Sequence, residues 1–157
     1  MASVLVAAQT DAEYAAARVL FSEYAARLDV DLGFQGFDAE LQQLSAMYGP
    51  PGGCLLLAFV DGECIGCIGV RRWDAHSCEM KRLYVRDSAR GGGIGRSLVM
   101  AAIERARSMR YRRMLLDTLA AMTAARSLYA MFGVKSCEPY YHNPIPGTTF
   151  MALDLDA

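Results

Sequence analysis

Apolar positions recur along the chain in blocks whose spacing changes between strand-like and helix-like. The short apolar stretch SVLVA (3–7) predicts a first strand, and the stretch after it repeats apolar residues with helical spacing as far as Asp29. Thr10 and Glu13 have the spacing of a capping box, in which each side chain accepts a hydrogen bond from the backbone of the other residue. The pattern therefore predicts a strand and then a helix that begins after Thr10.

Turn residues divide the next part of the chain into shorter elements. We expect a loop with unusually apolar content over 30–37 and a second helix over 38–48 that stops before a Gly-Pro-Pro turn. The apolar run 54–60 and the segment 63–73 predict two paired strands, because the Asp-Gly pair between them favours a tight hairpin.

The second half of the chain alternates strands and helices. Its predicted elements are a strand over 77–85, a helix from Gly93 to Met109, a strand over 112–118, a helix over 123–132 and two last strands within 134–140 and 148–155. The order β-α-α-β-β-β-α-β-α-β-β indicates a mixed α/β fold, with an antiparallel meander first and a βαβ crossover later. No internal repeat or low-complexity linker interrupts this order, so we expect a single domain over residues 1–157.

Composition restricts the class of protein and its partners. The chain of 157 residues is 54% hydrophobic and 21% charged, which is typical of a globular domain. The 16 basic residues are balanced by 17 acidic ones, and this balance argues against nucleic acid as a partner. No apolar stretch is long enough for a membrane span, and the N-terminus lacks the positive start of a secretory signal. We therefore expect a soluble, cytoplasmic protein with no membrane partner.

The cysteines and histidines do not favour a metal or redox site. Five cysteines are an odd number, which fits a reducing compartment better than a disulfide framework. Cys64 and Cys67 form a CxxC, but they lie in a predicted strand, where residues three apart point to opposite faces. We therefore favour core cysteines over a redox or metal pair. His76 and His142 are far apart in the sequence, and we expect no protein-bound metal.

The stretch RGGGIGR (90–96) places four glycines between a predicted strand and a predicted helix. Glycines let backbone N–H groups turn inward and helix N-termini attract anions, so this loop is a candidate phosphate site with an arginine at each end. A plain glycine-rich turn is the alternative. The stretch does not match a P-loop, because Arg90 stands where the first glycine is required and Arg96 replaces the lysine. It also lacks the third glycine of a dinucleotide-binding loop.

A third phosphate-binding pattern does match. Arg90-Gly-Gly-Gly-Ile-Gly95 has the form R/Q-x-x-G-x-G/A and resembles the acyl-CoA pyrophosphate loop of the GNAT superfamily of N-acetyltransferases. The surrounding sequence KRLYVRDSARGGGIGRSLV resembles the fourth strand, loop and third helix of that family. AARSLYAMFGV resembles a later family segment, with Tyr129 at its tyrosine and Val134 in place of the usual phenylalanine. The resemblance covers about residues 63–155 and implies a GNAT-like central mixed, mostly antiparallel sheet of about seven strands flanked by about four helices.

The resemblance implies an enzyme in which an amine attacks the acyl thioester of acetyl-CoA directly, without a covalent enzyme intermediate. The implied function is acetylation of a primary amine in a small molecule or peptide. The backbone of Leu83, Tyr84 and Val85 would pair with the pantetheine arm, where the fourth and fifth strands separate. The loop would bind the pyrophosphate, and the residues implied there are Arg90, Gly91, Gly92, Gly93, Ile94, Gly95, Arg96 and Ser97.

Two residues are candidates for proton transfer. Tyr129 holds the family position of the acid that protonates the departing thiolate, and the alternative is a packed aromatic side chain. Glu79 is our candidate base, acting through water or after burial has made it more basic, and the alternative is an ion pair with Lys81 or an arginine. One departure is Met122, which stands where family members often carry an asparagine that contacts the cofactor.

The acceptor is the part that the sequence determines least. In the family's fold the helix pair near the N-terminus and the loop before the last strand flank it. Five residues of these segments are candidates for an aromatic pocket that binds a small, partly apolar amine or a peptide end: Phe34, Phe37, Tyr140, Tyr141 and His142. Core packing and the contacts of a homodimer are equal alternatives for them. A non-catalytic acyl-CoA-binding module is the alternative function, although the presence of both Glu79 and Tyr129 favours the enzyme.

Overall fold

The structure is a computed structural model that describes residues 3–28 and 30–156, with the backbone but not the side chain of Phe34. The strands in these ranges are β1 (Val4–Ala7), β2 (Cys54–Val60), β3 (Glu63–Arg72), β4 (Ser77–Val85), β5 (Arg113–Thr118), β6 (Lys135–Ser136) and β7 (Thr149–Asp154). The α-helices are α1 (Asp11–Leu28), α2 (Phe37–Gln42), α3 (Leu44–Tyr48), α4 (Ile94–Ser108) and α5 (Thr123–Met131). Short 3₁₀ turns cover Gly33–Gln35 and Asp87–Ala89.

One sheet contains the seven strands, in the order β1-β2-β3-β4-β5-β7-β6. Neighbouring strands are antiparallel except β4 and β5, which are parallel and are joined by the crossover through α4. The predicted mixed α/β fold, with an antiparallel meander and a later crossover, is confirmed. Along the described ranges, none of the helices combines the length and the apolar character that a bilayer span requires.

The first helix begins as its capping box predicts. The Glu13 N–H donates to Thr10 Oγ1 at 3.1 Å, and the Thr10 N–H donates to Glu13 Oε1 at 3.0 Å. A side-chain cap of this kind stabilises a helix by about 0.5–2 kcal/mol. The cap therefore fixes where α1 starts, directly after β1.

The predicted second helix is in fact two helices. The chain leaves helical geometry at Gln43, which has a φ of −131°, so α2 ends at Gln42 and α3 begins at Leu44. The change of direction brings the Tyr48 hydroxyl to Glu40, to which it donates at 3.0 Å. The described residues consequently form five α-helices, where the sequence pattern predicted about four.

The core lies in two layers, one on each face of the sheet. In the α4–α5 layer, Leu98 and Ile103 are buried against strand residues such as Ile68. In the α1–α3 layer, the rings of Phe21 and Tyr48 meet edge to face with centroids 5.7 Å apart. Each large apolar side chain buried in this way stabilises the fold by roughly 1.5–3 kcal/mol.

A bulge in β3 overturns one expectation about the cysteines. The β3 residues opposite Ala58 and Phe59 are not adjacent in sequence, because Ile65 is an extra residue between them. The extra residue resets the alternation of side chains, and Cys64 and Cys67 both contact the α1–α3 layer. The prediction that they point to opposite faces was wrong. Both are free thiols, and burial raises the pKa of each.

The parallel pair β4–β5 opens soon after it begins. Pairing runs from Ser77, opposite Arg113, to Glu79, opposite Leu115, and no further pair follows among the described residues. The remaining part of β4 stays paired with β3 on one side only. The two strands separate there, as the family resemblance implied, and we call the opening the β4–β5 gap.

Candidate active site

The glycine-rich loop connects β4 to α4. Gly91 and Gly93 have φ values of +86° and +79°, in the left-handed region that residues with a Cβ rarely adopt. A Cβ added at either position would meet no other atom within 4 Å, and both residues are exposed. The backbone conformation therefore requires these glycines, and the space in front of the loop is open to a ligand.

The backbone N–H groups of this loop are available to bind an anion. The first hydrogen bond of α4 runs from the Ser97 N–H to the Gly93 carbonyl at 3.0 Å. Within the described chain, the N–H groups of residues 91–96 donate to no backbone carbonyl. They lie at the positive end of the α4 dipole, which favours a negatively charged ligand. Ser97 is already engaged, because its hydroxyl also donates to the Gly93 carbonyl, at 3.1 Å.

Two arginines flank the loop. The Arg90 Nε lies 3.2 Å from the Val85 carbonyl oxygen and 3.2 Å from Asp87 Oδ1. Arg96 is exposed in the first turn of α4. The side chain of Ile94 is buried in the core, so its backbone is the part that can reach a ligand. The loop thus presents N–H groups between two positive charges.

The β4–β5 gap begins beside this loop. Tyr84 pairs with Cys67 of β3 and Val85 pairs with Gly66, which leaves the other edge of β4 facing the gap. At the end of β5, the Thr118 hydroxyl is buried and has no hydrogen-bond partner within the described residues. An extended ligand that carries amide groups would find backbone and side-chain partners here, in the manner of an added strand.

Glu79 lies at the point where β4 and β5 separate, and its side chain is 1% exposed. Its Oε1 accepts a hydrogen bond from the Nε of Arg71 at 2.9 Å, and the Nη2 of Arg71 lies 2.8 Å from the same oxygen in an ion pair. Its Oε2 accepts one from the Tyr140 hydroxyl at 2.6 Å, and the Nζ of Lys81 lies 3.8 Å from Oε1. The ion pair expected as the alternative role of Glu79 is therefore present, and its arginine is Arg71.

A bulge in β4 adds a second buried ion pair next to the gap. Arg82 has a φ of +64° and lies where the register of β4 against β3 shifts. Its guanidinium donates to both carboxylate oxygens of Glu40 in α2, at 3.0 and 2.8 Å. Burial alone would raise the pKa of Glu40, but the hydrogen bonds and the charge of Arg82 outweigh burial and hold the pKa below its usual value. The pair fastens α2 to β4.

Lys81 lies between these two ion pairs, with its side chain 7% exposed. Its Nζ donates to Gln35 Oε1 at 3.1 Å, and Gln35 Nε2 donates to the Tyr141 hydroxyl at 3.1 Å. Burial lowers the pKa of Lys81, and the charge of Arg82 lowers it further. Gln35 therefore connects the segment between α1 and α2 to the loop between β6 and β7.

Two tyrosines of the loop between β6 and β7 donate hydrogen bonds to two carboxylates. Tyr140 donates to Glu79, and Tyr141 donates to Asp117 of β5. Asp117 also accepts a hydrogen bond from Asn143 Nδ2 at 3.0 Å. Burial raises the pKa of both tyrosines, and the carboxylates beside them raise it further. Both hydroxyls consequently stay protonated at neutral pH.

The same two tyrosines belong to an aromatic cluster with Trp73 and Phe150. The ring centroids of the contacting pairs are 4.9 to 6.3 Å apart, mostly in edge-to-face arrangements. Tyr140 and Tyr141 therefore pack against each other and against Trp73 and Phe150, two residues that the sequence analysis did not identify.

The other three residues predicted for the acceptor have different surroundings. Phe37 is buried in the α1–α3 layer, where its ring lies 5.1 Å from the guanidinium carbon of Arg82. His142 is exposed, and the side chain of Phe34 lies outside the described part of the structure. No group of three or more His, Cys, Asp or Glu side chains in the described ranges is arranged to hold a metal ion.

Tyr129 of α5 is buried in the α4–α5 layer. Burial raises the pKa of its hydroxyl, and the charges of Tyr24 and Asp117 raise it further. The Tyr129 ring packs against the face of the sheet that α4 and α5 cover. A hydroxyl that remains protonated at this position is suited to donate a proton.

Met122 precedes the first residue of α5, which begins without a side-chain cap. The Met122 sulfur accepts a hydrogen bond from the Leu119 N–H at 3.4 Å. An asparagine at this position would cap the helix with its side-chain oxygen. The departure from the family pattern thus removes a polar group from this corner of the site.

Three polar residues of the site were not identified from the sequence as site residues. Lys81 carried a signal, because residues two apart in a strand share a face and Glu79 was already a candidate. The sequence contained no signal for Asp117. The β5 residue that lies beside the gap depends on where the pairing of β4 and β5 stops, and the sequence does not show that point. Gln35 lies in a segment whose path depends on tertiary contacts, so its position in the site could not be predicted from the sequence either.

Known proteins show the family of this chain. The acetyltransferase (GNAT) family matches residues 17–134. An uncharacterized N-acetyltransferase of Schizosaccharomyces pombe is 42% identical over 140 residues, which cover 88% of this chain and 86% of that protein. The human N-acetylaspartate synthetase is 32% identical over 101 residues, which cover 64% of this chain and 33% of that protein.

A solved structure shows the same fold with the expected ligand. The GNAT family acetyltransferase of Elizabethkingia anophelis, with acetyl-CoA bound, matches the present structure with a TM-score of 0.64 and 18% sequence identity. The match covers 97% of each chain. Its fold is therefore shared over nearly the whole length of both proteins.

Proposed function

Because the chain belongs to the GNAT family of acetyltransferases, and is thus an acetyl-CoA-dependent acyltransferase, we propose that it acetylates the primary amine of a small molecule or peptide by direct attack. One observation carries the proposal. The open glycine-rich loop leads onto the unpaired edge of β4, and that edge runs to Glu79, where β4 and β5 separate. A donor site and a candidate general base therefore share one opening.

The residues of the loop and the gap fit acetyl-CoA. The N–H groups of residues 91–96, between two arginines, suit the pyrophosphate. The free edge of β4 from Leu83 to Val85 suits the amides of the pantetheine arm, and the Thr118 hydroxyl offers a further hydrogen-bonding group. Acetyl-CoA supplies an activated acetyl thioester. The chain holds it in the gap, where an amine can approach from the side of α1 and α2.

We assign the general acid to Tyr129. The raised pKa keeps its hydroxyl protonated, so the proton is available when the thiolate departs. Its side chain is held by the α4–α5 layer, which fixes the position of the hydroxyl. Tyr129 can be both a packed aromatic side chain and an acid, because burial packs its ring and also keeps its hydroxyl protonated.

We assign the general base to Glu79, acting through an intervening hydroxyl. Arg71 and Lys81 engage Oε1, and Tyr140 covers Oε2, so an amine would reach Glu79 through water or through the Tyr140 hydroxyl. Asp117 is the competing carboxylate. Removing a general base should lower kcat by about 100-fold, so Glu79→Gln should lose this turnover and Asp117→Asn should largely keep it. The opposite result would transfer the role to Asp117.

The acceptor would bind between the Gln35 segment and the loop that carries Tyr140 and Tyr141. Gln35 and Tyr141 are in hydrogen-bond contact, so the two segments that flank the acceptor in the family's fold meet here. The human relative is named for making N-acetylaspartate, an acetylated amino acid, which supports a small-molecule acceptor. We propose a single domain that needs no bound metal for this reaction.

The proposal is tested by measuring thiol release from acetyl-CoA in the presence of a panel of primary amines. Thiol release that requires an amine, with an equal amount of acetylated product by mass spectrometry, is the expected result. Binding of acetyl-CoA without amine-dependent release for any member of the panel would instead indicate a non-catalytic acyl-CoA-binding module.

A further inference from the structure

Three cations meet on the acceptor side of the β4–β5 gap, and two of them are hydrogen-bonded to carboxylates. Arg71 Nε donates to Glu79 Oε1 at 2.9 Å, and Arg71 Nη2 lies 2.8 Å from the same oxygen. Arg82 donates twice to Glu40, at 3.0 and 2.8 Å. The third cation, Lys81, makes no hydrogen bond to a carboxylate within the described residues and lies 3.8 Å from Glu79. It is therefore the exception among the three cations.

The ammonium of Lys81 is buried but incompletely bonded. Its side chain is 7% exposed, and its hydrogen bond goes to the neutral amide oxygen of Gln35, at 3.1 Å. The Glu79 oxygen is 3.8 Å away, within ion-pair range but beyond hydrogen-bond distance. An ammonium carries three donors, and burying it with donors unsatisfied is unfavourable. Burial accordingly lowers the pKa of Lys81.

The carboxylates near Lys81 are already engaged. Glu79 accepts hydrogen bonds from an arginine and from Tyr140. Asp117 accepts hydrogen bonds from Tyr141 and Asn143. Glu79, at 3.8 Å, is an ion-pair partner of Lys81 without a hydrogen bond, so a carboxylate in hydrogen-bond contact with Lys81 has to come from outside the described chain.

The charge balance of the site indicates what that partner is. The cations Arg71, Lys81 and Arg82 equal in number the carboxylates Glu40, Glu79 and Asp117. A simple amine enters as an ammonium and adds a positive charge that nothing balances. An amine that also carries a carboxylate adds no net charge, and its carboxylate provides the oxygen that Lys81 lacks.

We propose that the acceptor is a small amine that carries a carboxylate in the same molecule, and that Lys81 binds this carboxylate in place of the Gln35 oxygen. The inference rests on the acetyltransferase function proposed above. Lys81 lies two residues beyond Glu79 on the same strand, so a bound carboxylate lies on the face where the amine is deprotonated. A charge-assisted hydrogen bond to a carboxylate is also stronger than the present bond to a neutral amide.

The test compares each amino acid with its own carboxamide as acceptor. Suitable pairs are glycine and glycinamide, β-alanine and β-alaninamide, L-alanine and L-alaninamide, L-aspartate and L-aspartic acid diamide, and L-phenylalanine and L-phenylalaninamide. The amide form lowers the pKa of the neighbouring ammonium, so intrinsic reactivity favours the amide. We expect the reverse in this enzyme, with kcat/KM at least about tenfold higher for the carboxylate form of the best pair.

Two variants test whether Lys81 causes the preference for the carboxylate form. Lys81→Met removes the charge at similar length, and the ratio of kcat/KM for the acid to kcat/KM for the amide should fall to about 1 or below, through a higher KM of the carboxylate form. The KM for acetyl-CoA should stay unchanged, because the donor binds the loop and the free edge of β4. Lys81→Arg keeps the positive charge and should keep the preference.

The outcomes separate this inference from the proposed function. If amines are acetylated but the wild-type enzyme treats acid and amide alike, or prefers the amide, the inference is wrong and the enzyme function stands. If Lys81→Met keeps the full preference, another group binds the carboxylate and the inference is wrong as well. If no amine supports thiol release, the proposed function itself fails. Should Lys81→Met not fold, the wild-type comparison of acid with amide decides alone.

Discussion

At the scale of single residues, the hydrogen-bonding state of buried polar groups is the most informative feature of this protein. The hydroxyls of Tyr48, Tyr84, Tyr140 and Tyr141 all have partners, whereas the buried Thr118 hydroxyl has none within the described residues. A buried hydroxyl without a partner lowers stability by about 1–3 kcal/mol. Because β5 ends beside the gap, the Thr118 hydroxyl is a candidate partner for a ligand bound there.

Thr118→Val keeps the shape of this side chain and removes its hydroxyl. The free energy of unfolding of the ligand-free protein should rise by about 1 kcal/mol, while the affinity for acetyl-CoA should fall by about fivefold. Urea unfolding and isothermal calorimetry measure the two quantities. Thr148→Val is the matched control, because the Thr148 hydroxyl donates to the Ile145 carbonyl at 2.7 Å and its loss should lower stability. A loss of stability in Thr118→Val would contradict the assignment.

Tyr129→Phe removes the hydroxyl that we assign as the general acid. The kcat should fall by about 100-fold with little change in the KM for acetyl-CoA, because the proton is needed when the thiolate leaves. Steady-state kinetics with a thiol reagent measures both constants. Tyr111→Phe serves as the control, since the Tyr111 hydroxyl donates to the Gly52 carbonyl and makes no contact with the gap. Wild-type turnover in Tyr129→Phe would mean that another group is the acid.

At the scale of elements, two irregularities shape the acceptor side of the site. Because of the bulge at Arg82, the side chains of the neighbouring residues Lys81 and Arg82 both point toward the α1–α3 layer. The break at Gln43, between α2 and α3, brings Glu40 and Tyr48 together. Neither follows from the sequence pattern, because strict alternation would place Lys81 and Arg82 on opposite faces. By contrast, the glycine-rich loop and the capping box of α1 were predictable, since local residues alone determine them.

Glu40→Gln tests how firmly α2 is held to β4. The variant leaves the buried Arg82 charge without a counter-charge and should lower the free energy of unfolding by about 3–5 kcal/mol at pH 7. The folded-state pKa of Glu40 is lowered, so its contribution is complete above its unfolded pKa of about 4.3 and is lost as pH falls below that value. Wild type and variant should therefore converge in stability toward pH 3, which urea unfolding across pH measures.

The Glu23–Arg86 pair supplies the control for this prediction. It joins α1 to the residue after β4 at 2.6 Å, but it is partly exposed and water screens it. Glu23→Gln should therefore lower stability much less than Glu40→Gln. A small effect of Glu40→Gln, equal to that of Glu23→Gln, would show that the buried pair does not hold α2 in place.

At the scale of the whole molecule, the site is assembled where segments far apart in the sequence meet at one opening of the sheet. Gln35, Asp117 and Tyr141 come from three different elements or loops, and the Tyr141 hydroxyl connects them by hydrogen bonds. Glu79 is joined to the same loop through Tyr140. The sequence predicted the fold, the loop and two proton-transfer candidates through local motifs. It did not predict the acceptor side, because contacts between distant segments determine which side chains converge there.

The central claim is that acetyl-CoA binds at the glycine-rich loop beside the β4–β5 gap, and a pair of glycine variants tests it most directly. Gly93 and Gly62 have similar φ values, +79° and +82°, and a Cβ at either position meets no atom within 4 Å. Gly93→Val and Gly62→Val therefore impose similar backbone strain, but Gly62 lies in the β2–β3 hairpin turn. Only Gly93→Val places a side chain and altered N–H groups in the loop.

Calorimetric titration of both variants with acetyl-CoA decides the matter. Gly93→Val should weaken binding by about 100-fold or more, because several charge-assisted N–H contacts to the pyrophosphate are lost together. Gly62→Val should bind acetyl-CoA as the wild type does. Equal affinities in the two variants would contradict the placement of the donor at this loop.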